Sequence, residues 1–159
     1  MEDRLDSIFA MQKGLENMMN LDRYPKDTEG KVSALCTAIM HEAVELQRTT
    51  NWKWWKTPTE FDEKEAREEL IDIWHFFLSE LLLRNDGDQK KALKSLLILS
   101  GDSENQQKFK FDENEIDLKT CDLVSKLELL IATSISQRIE IELFNLIMDD
   151  CQLSWDELY

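Results

Sequence analysis

The amino-acid sequence predicts an all-α fold, a helical bundle that forms a single domain over residues 1–159. Only four glycines and two prolines interrupt the 159 residues, which favours long helices over strands joined by many turns. Hydrophobic residues make up 42% of the chain, enough to build a core, and several segments repeat them at helical spacing. A chain of this length fits one domain, and no internal repeat divides it.

The charge of the chain restricts its partners. A formal net charge of −14 argues against direct binding of nucleic acid or of an anionic membrane, since both need a basic surface. No segment is apolar for long enough to span a bilayer, and MEDRLDSIF does not resemble a signal peptide. The three cysteines are odd in number and lack metal-ligand spacing. These features predict a cytoplasmic protein with reduced thiols.

Three helices are predicted in the first half of the chain. They cover residues 3–20, 31–50 and 63–84, and Asp62 is the predicted N-cap of the third. The apolar stripe of the first helix consists of Leu5, Ile8, Phe9, Leu15, Met18 and Met19. The second half of the third helix, IDIWHFFLSELLL, is apolar on almost every face. Because so small a bundle has little room to bury such a helix alone, we predict a homodimer.

The second half of the chain is predicted to be helical on both sides of a polar loop. A fourth helix is expected at residues 89–100 and a loop at 101–117. A long helix is expected at 118–150, followed by a short one that starts at Ser154.

Two acidic pairs lie among apolar residues. Glu42 and Glu45 are three residues apart in the second helix, and Glu69 and Asp72 are three apart in the third. Residues at i and i+3 share a helix face, so each pair directs two carboxylates the same way. Such pairs usually form a solvated face. Four carboxylates gathered in an apolar bundle, however, require cations between them, and Mg²⁺ prefers oxygen ligands of this kind.

The order of these residues resembles a known family. E-x-x-E is followed after 23 residues by E-x-x-D, with NWKWWK between the pairs and D-x-x-H-F from Asp72 to Phe76. This arrangement resembles the metal signature of the all-α nucleoside triphosphate pyrophosphohydrolases, the MazG-like superfamily, and in particular its dimeric dUTPases. The resemblance covers residues 8–83, with a weaker echo at CQLSWDELY.

The resemblance implies Mg²⁺-dependent hydrolysis of dUTP to dUMP and pyrophosphate. It makes Glu42, Glu45, Glu69 and Asp72 ligands of two or three Mg²⁺ ions, with Mn²⁺ as an alternative metal. It also makes Glu45 the residue that activates the attacking water, although the residues alone do not distinguish Glu45 from Glu42 in this role. Divalent metals suit the reaction because they neutralise charge on phosphoryl oxygens.

The Trp/Lys segment, NWKWWK at residues 51–56, has two interpretations. Its aromatic residues are suited to plugging the turn between two helices. By resemblance, Lys53 and Lys56 instead contact the phosphates as mobile point charges, and Trp55 walls the substrate pocket.

Three residues are expected near the base. The resemblance places His75 and Phe76 beside the pyrimidine, and Gln12 at the uracil edge, where an amide can both donate and accept. The family often carries an asparagine one turn after this glutamine, whereas this chain has Glu16 there. Because of this departure, dCTP remains an alternative substrate.

The family normally continues beyond the L-S-x-x-E-L-Y element with K-N-x-x-N, an arginine and an N-G-Y-like stretch that contacts phosphates. The sequence given ends at Tyr159 without them. We therefore expect weaker triphosphate binding, since each charge-assisted hydrogen bond is worth roughly 1.5–3 kcal/mol.

Two alternatives to a dUTP pyrophosphatase follow from the same residues. One is a broader hydrolase of dCTP, dUTP or other nucleoside triphosphates that uses the same metal site. The other is a catalytically impaired helical module that binds other proteins.

Overall fold

A computed structural model of the chain describes residues 2–18, 22–100 and 108–158. These residues form seven α-helices, one two-stranded sheet and one 3₁₀ turn, so the predicted all-α fold is confirmed. The elements are α1 Glu2–Met18, α2 Thr28–Arg48, α3 Glu63–Arg84, α4 Gln89–Ser100, β1 Lys108–Phe111, β2 Asn114–Asp117, the 3₁₀ turn Leu118–Thr120, α5 Leu123–Ile135, α6 Ile141–Asp150 and α7 Trp155–Leu158. Among the described helices, none is both long and apolar enough to cross a bilayer.

Helix α2 lies between α3 on one side and α5 on the other. Helix α1 packs against α3 and α4, and α6 contacts α5 and α4. The core between these helices is formed by completely or almost completely buried side chains, among them Phe9, Ile39, Leu46, Leu70, Ile73, Trp74, Phe77, Leu127 and Phe144.

Helix α3 is buried within a single chain. Its buried residues lie on several faces, as predicted: Ala66, Leu70, Ile73, Trp74, Phe77, Leu78, Ser79, Glu80, Leu81 and Leu82. Because α1, α2 and α4 of the same chain cover them, the apolar character of α3 does not by itself require a second copy. The homodimer therefore stays a prediction that needs other support.

The predicted apolar stripe of α1 is only partly correct. Leu5 and Phe9 are buried, but Leu15 is 43% exposed and Met18 is 85% exposed, while Met19 lies outside the described residues. The buried position one turn after Phe9 is Gln12, which is 6% exposed. A polar residue thus takes the place in the core that the hydrophobic pattern assigned to leucine and methionine.

Helix α2 begins earlier than predicted, at Thr28 instead of residue 31. Asp27 is its N-cap and accepts a hydrogen bond of 2.7 Å from the backbone N–H of Gly30. A Cβ at Gly30 would lie 2.8 Å from the Cβ of Pro25, so this position in the first turn requires glycine. Gly30 lies just before the predicted start of this helix, yet it is part of the first turn, where it allows the chain to pass close to Pro25.

The predicted loop at 101–117 is wrong for its second half, and residues 101–107 lie outside the described part. Strands β1 and β2 form an antiparallel hairpin in which Phe109 pairs with Ile116 and Phe111 with Asn114. Phe109 is buried, and the guanidinium of Arg138 lies 5.1 Å from its ring centroid. The alternation of lysine and phenylalanine in KFKF is the signal that indicates this strand.

The single long helix predicted at 118–150 is also wrong. Helix α5 ends at Ile135 and α6 begins at Ile141, because Gln137 adopts a left-handed conformation with φ of 58°. The backbone N–H of Arg138 then donates to the carbonyl of Thr133 at 2.9 Å. Arg84 at the end of α3 donates to the carbonyl of Gln137 at 2.7 Å and fixes the turn.

Replacing Phe144 by alanine should strongly destabilise this core. Phe144 is 0% exposed, stacks on Trp74 at 5.9 Å between ring centroids and meets the edge of Phe77 at 5.4 Å. Large-to-small changes of this kind leave a cavity and cost about 3–5 kcal/mol. We expect a loss of this size in the free energy of unfolding measured with urea. Ile135→Ala is the control, since Ile135 is 67% exposed and should change the stability by less than about 0.5 kcal/mol.

Candidate functional site

Three of the four predicted carboxylates meet where α2 packs against α3. Ligand oxygens of Glu42, Glu69 and Asp72 all lie within 4.8 Å of one another. Glu42 and Glu69 are half-buried, whereas Asp72 is exposed. Glu45 is exposed and is not part of this group of three, although its charge acts on Glu69. Two helices thus bring together carboxylates that are 27 residues apart in the chain, from Glu42 to Glu69.

Apolar packing holds the carboxylates in place. Ala43 on α2 and Ala66 on α3 are both 0% exposed, and such small side chains allow helix backbones to approach closely. Leu46, one turn after Glu42, and Leu70, next to Glu69, are also 0% exposed. Burial of these apolar residues therefore stabilises a helix pair whose acidic edges repel each other.

The repulsion appears in the pKa of Glu69. Burial, a hydrogen bond with the Glu42 carboxyl and the charges of Glu42, Glu45 and Asp72 together raise it from 4.5 to about 7, and burial is the largest of these causes. All three causes disfavour a negative charge on Glu69. The site therefore retains a proton that a glutamate in water would release.

A divalent cation fits this cluster. The donor set consists of carboxylate oxygens, the ligand type that Mg²⁺ and Mn²⁺ prefer, and burial together with the neighbouring negative charges already raises the pKa of Glu69. A cation in the same place would neutralise the charges that raise the pKa of Glu69.

The loop that connects α2 to α3 is ordered by one side chain. Asn51 accepts a hydrogen bond of 2.8 Å from the backbone N–H of Thr59 and donates one of 3.0 Å to its carbonyl. This pair closes the loop at its base like a short strand pairing. Within the loop, the N–H of Lys56 donates to the carbonyl of Lys53 at 2.9 Å, which makes a tight turn between the two lysines.

A cavity of about 370 Å³ opens beside this loop. Three positively charged side chains line it, those of Arg48, Lys53 and Lys56. Its other lining residues supply hydroxyl, amide and indole groups: Thr50, Asn51, Trp52, Thr57 and Thr59. Lys53 and Lys56 were predicted from the sequence, whereas Arg48 was not. Its spacing, three residues after Glu45 on α2, is the signal that points to it.

The tryptophans form a chain of edge contacts on the surface. Trp55 is 54% exposed and meets the edges of Trp52 at 5.7 Å and of Trp54 at 5.6 Å between ring centroids. Trp52, and not Trp55, lines the cation-bearing cavity. The aromatic run therefore does not plug a buried turn, because Trp54 is 87% exposed.

The structure brings Gln12 and His75 together. Nδ1 of His75 lies 2.7 Å from Oε1 of Gln12, and Nε2 of Gln12 donates to Oγ of Ser79 at 2.8 Å. The Ser79 hydroxyl in turn donates to Oε1 of Glu16. Phe76 is half-buried and packs against the core beside His75. Sequence reasoning missed Ser79, because its partners are 63 and 67 residues away in the chain.

A larger cavity of about 530 Å³ lies away from the carboxylates. It is lined by residues of α1, α3, α4, α6 and α7, including Trp74 and Trp155, and by none of the four predicted ligands. Trp74 is two residues after Asp72, about 200° around the helix, so the two side chains leave α3 on opposite sides. This cavity is therefore not where the potential metal ligands lie. We place the candidate site at the carboxylates, because they are the groups that can bind a cation.

A helical fold with a carboxylate cluster between two packed helices, next to a loop rich in cations, is typical of the all-α nucleotide hydrolases. A family model described as dUTPase matches residues 4–159. Because the match covers almost the whole chain, the protein belongs to the dUTPase family. A comparison with curated protein sequences finds no match.

The raised pKa of Glu69 predicts a pH-dependent stability in the absence of divalent cations. The folded protein retains the proton up to about pH 7, whereas an unfolded glutamate releases it near 4.5. Between these values the folded state binds more protons, so the free energy of unfolding should fall as the pH rises through this window. Urea unfolding in EDTA, at several pH values between about 5 and 8, measures the slope.

Glu69→Gln should flatten that slope, because an amide cannot titrate, and it should be more stable than the wild type at the alkaline end. Glu68→Gln is the matched control on the same helix, since Glu68 is exposed and lies 3.7 Å from Lys64 in an ion pair on the helix surface. An unchanged slope in Glu69→Gln would show that another group titrates in this range.

Proposed function

We propose that this protein is a Mg²⁺-dependent dUTP pyrophosphatase that converts dUTP and water into dUMP and pyrophosphate. The observation that carries the proposal is the meeting of Glu42, Glu69 and Asp72 within 4.8 Å in a member of the dUTPase family. The proposal includes the predicted homodimer and a cytoplasmic location.

Glu42, Glu69 and Asp72 would hold the metal, with Glu45 as a further ligand. When bound, Mg²⁺ or Mn²⁺ supplies positive charge for the phosphoryl oxygens and lowers the pKa of bound water. The carboxylates keep their positions because the apolar seam of α2 and α3 fixes both backbones. Two or three ions would balance the negative charge of the cluster and of the triphosphate.

Glu45 is the proposed general base. It is exposed, lies one turn after Glu42 and stays outside the tight group of three. If one of its oxygens binds metal, the other remains available to accept a proton from water. The water oxygen then forms a bond to phosphorus, and the bond to the pyrophosphate leaving group breaks. Glu42, which shares a hydrogen bond with Glu69, is less available for this role.

The cationic cavity is proposed to bind the phosphates. Lys53 and Lys56 lie in an ordered loop that follows directly after the helix of Glu42 and Glu45, and Arg48 adds a third positive charge. In a chain of net charge −14, a cavity lined by three cations offers an anion a rare favourable surface. Trp55, which lies against the edge of the cavity-lining Trp52, is proposed to form a wall of the substrate pocket beside this cavity.

His75 and Phe76 are proposed to contact the base directly. Gln12, predicted at the uracil edge, is buried and bonded to His75, so it is proposed to act on the base through that ring. His75 lies one turn after Asp72 on α3 and is exposed, so a base next to the metal-bound phosphates would meet it. Gln12 touches His75 from α1 and fixes its ring.

Glu45→Gln should abolish turnover while the protein remains folded. Loss of a general base typically lowers kcat by about 10²–10⁴-fold. The experiment measures dUTP hydrolysis with Mg²⁺, far-UV circular dichroism and thermal melting. Mg²⁺ with a non-hydrolysable dUTP analogue, at about 100 times its Kd, should stabilise both proteins by about 2.7 kcal/mol.

The matched control is Glu68→Gln, which should retain wild-type turnover. Hydrolysis of dCTP at the same rate as dUTP would indicate the broader hydrolase instead. A wild-type protein that neither hydrolyses dUTP nor gains stability with Mg²⁺ and the analogue would contradict the proposal and favour the protein-binding module.

Lys56→Ala should weaken phosphate recognition. A lost charge-assisted hydrogen bond is worth roughly 1.5–3 kcal/mol, which corresponds to a decrease of about 10–100-fold in kcat/KM for dUTP. Steady-state kinetics at constant ionic strength measure the change. Lys64→Ala serves as the control, because Lys64 is exposed on α3 and its amino group lies 3.7 Å from the exposed carboxylate of Glu68. Equal effects of the two variants would mean that only the total charge matters.

A further inference from the structure

A chain of four hydrogen-bonding side chains connects α1 with α3 next to the carboxylate cluster. It runs from Glu16 through Ser79 and Gln12 to His75. Gln12 is 6% exposed and Ser79 is 8% exposed, so water does not readily replace these bonds. At its two ends Glu16 is half-buried and His75 is exposed. This series of hydrogen bonds is therefore mostly buried, and its exposed end, His75, lies at the candidate site.

The carboxylate end fixes the direction of every bond. An ionised Glu16 only accepts, so the single hydroxyl proton of Ser79 points to it. Ser79 Oγ can then only accept from its other neighbour, which requires the NH₂ group of Gln12 to face it. This leaves Oε1 of Gln12 toward His75, at 2.7 Å from Nδ1.

The tautomer of His75 follows from this order. Oε1 of Gln12 only accepts, so Nδ1 of His75 must carry the proton. In a neutral imidazole the other nitrogen, Nε2, then has the lone pair. Among the described residues, Nε2 makes no hydrogen bond, and the exposed ring offers it as an acceptor to a ligand.

The surroundings of Glu16 agree with its role as the fixed acceptor. A small cavity of about 140 Å³ is lined by Glu16 and Ser79 and also by Lys13 and Lys31, so two cationic side chains open onto the same cavity as the Glu16 carboxylate. Lys13 is held in place by donating to the carbonyl of Gly87 at 3.2 Å.

We infer that Glu16 and Ser79 are positioning residues that make His75 a hydrogen-bond acceptor and thereby favour a pyrimidine with a proton on N3, such as uracil, over cytosine. Uracil carries N3–H, which can donate to Nε2, whereas cytosine has a lone pair on N3 that Nε2 would repel. The inference rests on the proposed function, because it requires that the base of a nucleotide lies against His75. It gives Glu16 a role in base selection at the position where the sequence departs from the expected asparagine.

The tautomer can be measured without substrate. The protonated and unprotonated nitrogens of a neutral histidine resonate at well-separated ¹⁵N frequencies, and the chain contains only two histidines. A spectrum of the ¹⁵N-labelled protein, recorded on the alkaline side of histidine titration, should show His75 protonated on Nδ1. His41→Gln, which changes an exposed residue of α2, assigns the two rings.

Two variants interrupt the connection at different points. Glu16→Gln supplies an amide that can donate to Ser79, so the order of the bonds is no longer fixed. Ser79→Ala removes the hydroxyl, and Ser79→Thr restores it. In Glu16→Gln and Ser79→Ala, but not in Ser79→Thr, we expect a mixture of His75 tautomers. We also expect the ratio of kcat/KM for dUTP to that for dCTP to fall about tenfold, the equivalent of one hydrogen bond.

The matched control is Ser134→Ala. Ser134 is also buried, at 2% exposed, but its hydroxyl donates only to the carbonyl of Leu130 in its own helix. This variant should lose some stability and keep both the wild-type tautomer and the wild-type substrate ratio.

The possible outcomes test separately the tautomer of His75, the role of Glu16 and the proposed function. A wild-type His75 protonated on Nε2 would overturn the inference even if the enzyme hydrolyses dUTP. An Nδ1-protonated ring with unchanged tautomer and substrate ratio in Glu16→Gln would overturn the role of Glu16. Absence of hydrolysis of either nucleotide would refute the proposed function and with it base selection, while the spectra would still decide whether the hydrogen-bond order is correct.

Discussion

Repulsion between carboxylates on two tightly packed helices is the constraint around which this protein is organised. The seam of α2 and α3 contains Ala43, Leu46, Ala66 and Leu70, all fully buried, and the acids lie along its edge. Burial of apolar surface outweighs the repulsion, so the helices remain together. Partial burial and the neighbouring acids then raise the pKa of Glu69, and it retains a proton. A locally unfavourable group held by a favourable core is typical of a functional site.

Helix α3 carries most of the proposed site in a single stripe. Glu69, Asp72, Phe76 and Ser79 recur every three or four residues, so their side chains leave the helix on one side. Trp74 points the other way, into the aromatic core with Phe144. The same helix therefore positions the carboxylates, the proposed base contacts and the core, which couples the geometry of the site to the stability of the fold.

The sequence predicted those features that depend on local helix geometry. Acids at i and i+3 share a face whatever the rest of the fold does, and a short connector between two helices brings such faces together. The fold class and the carboxylate cluster could therefore be predicted. The turn at Gln137 could not, because neither glycine nor proline marks it and tertiary contacts with Arg84 stabilise it.

Long-range polar contacts could not be predicted from the sequence either. The bond between Ser79 and Glu16 joins residues 63 positions apart, and no periodicity relates them. The hydrophobic pattern of α1 did not indicate the burial of Gln12 for the same reason. A polar residue can be buried there because Ser79 and His75 form hydrogen bonds with its amide. Local pattern thus supplied the metal-binding hypothesis, and only tertiary structure supplied the hydrogen bonds that link Gln12, Ser79 and His75.

The pairing of Asn51 with the backbone of Thr59 has a consequence for how a ligand is captured. Both hydrogen bonds are made by the chain itself, so the loop with its lysines is already shaped before any anion arrives. Binding then requires rearrangement of flexible side chains but no folding of the main chain. The conformational entropy of the nine residues from Asn51 to Thr59 is lost when the protein folds, so ligand binding does not have to overcome it.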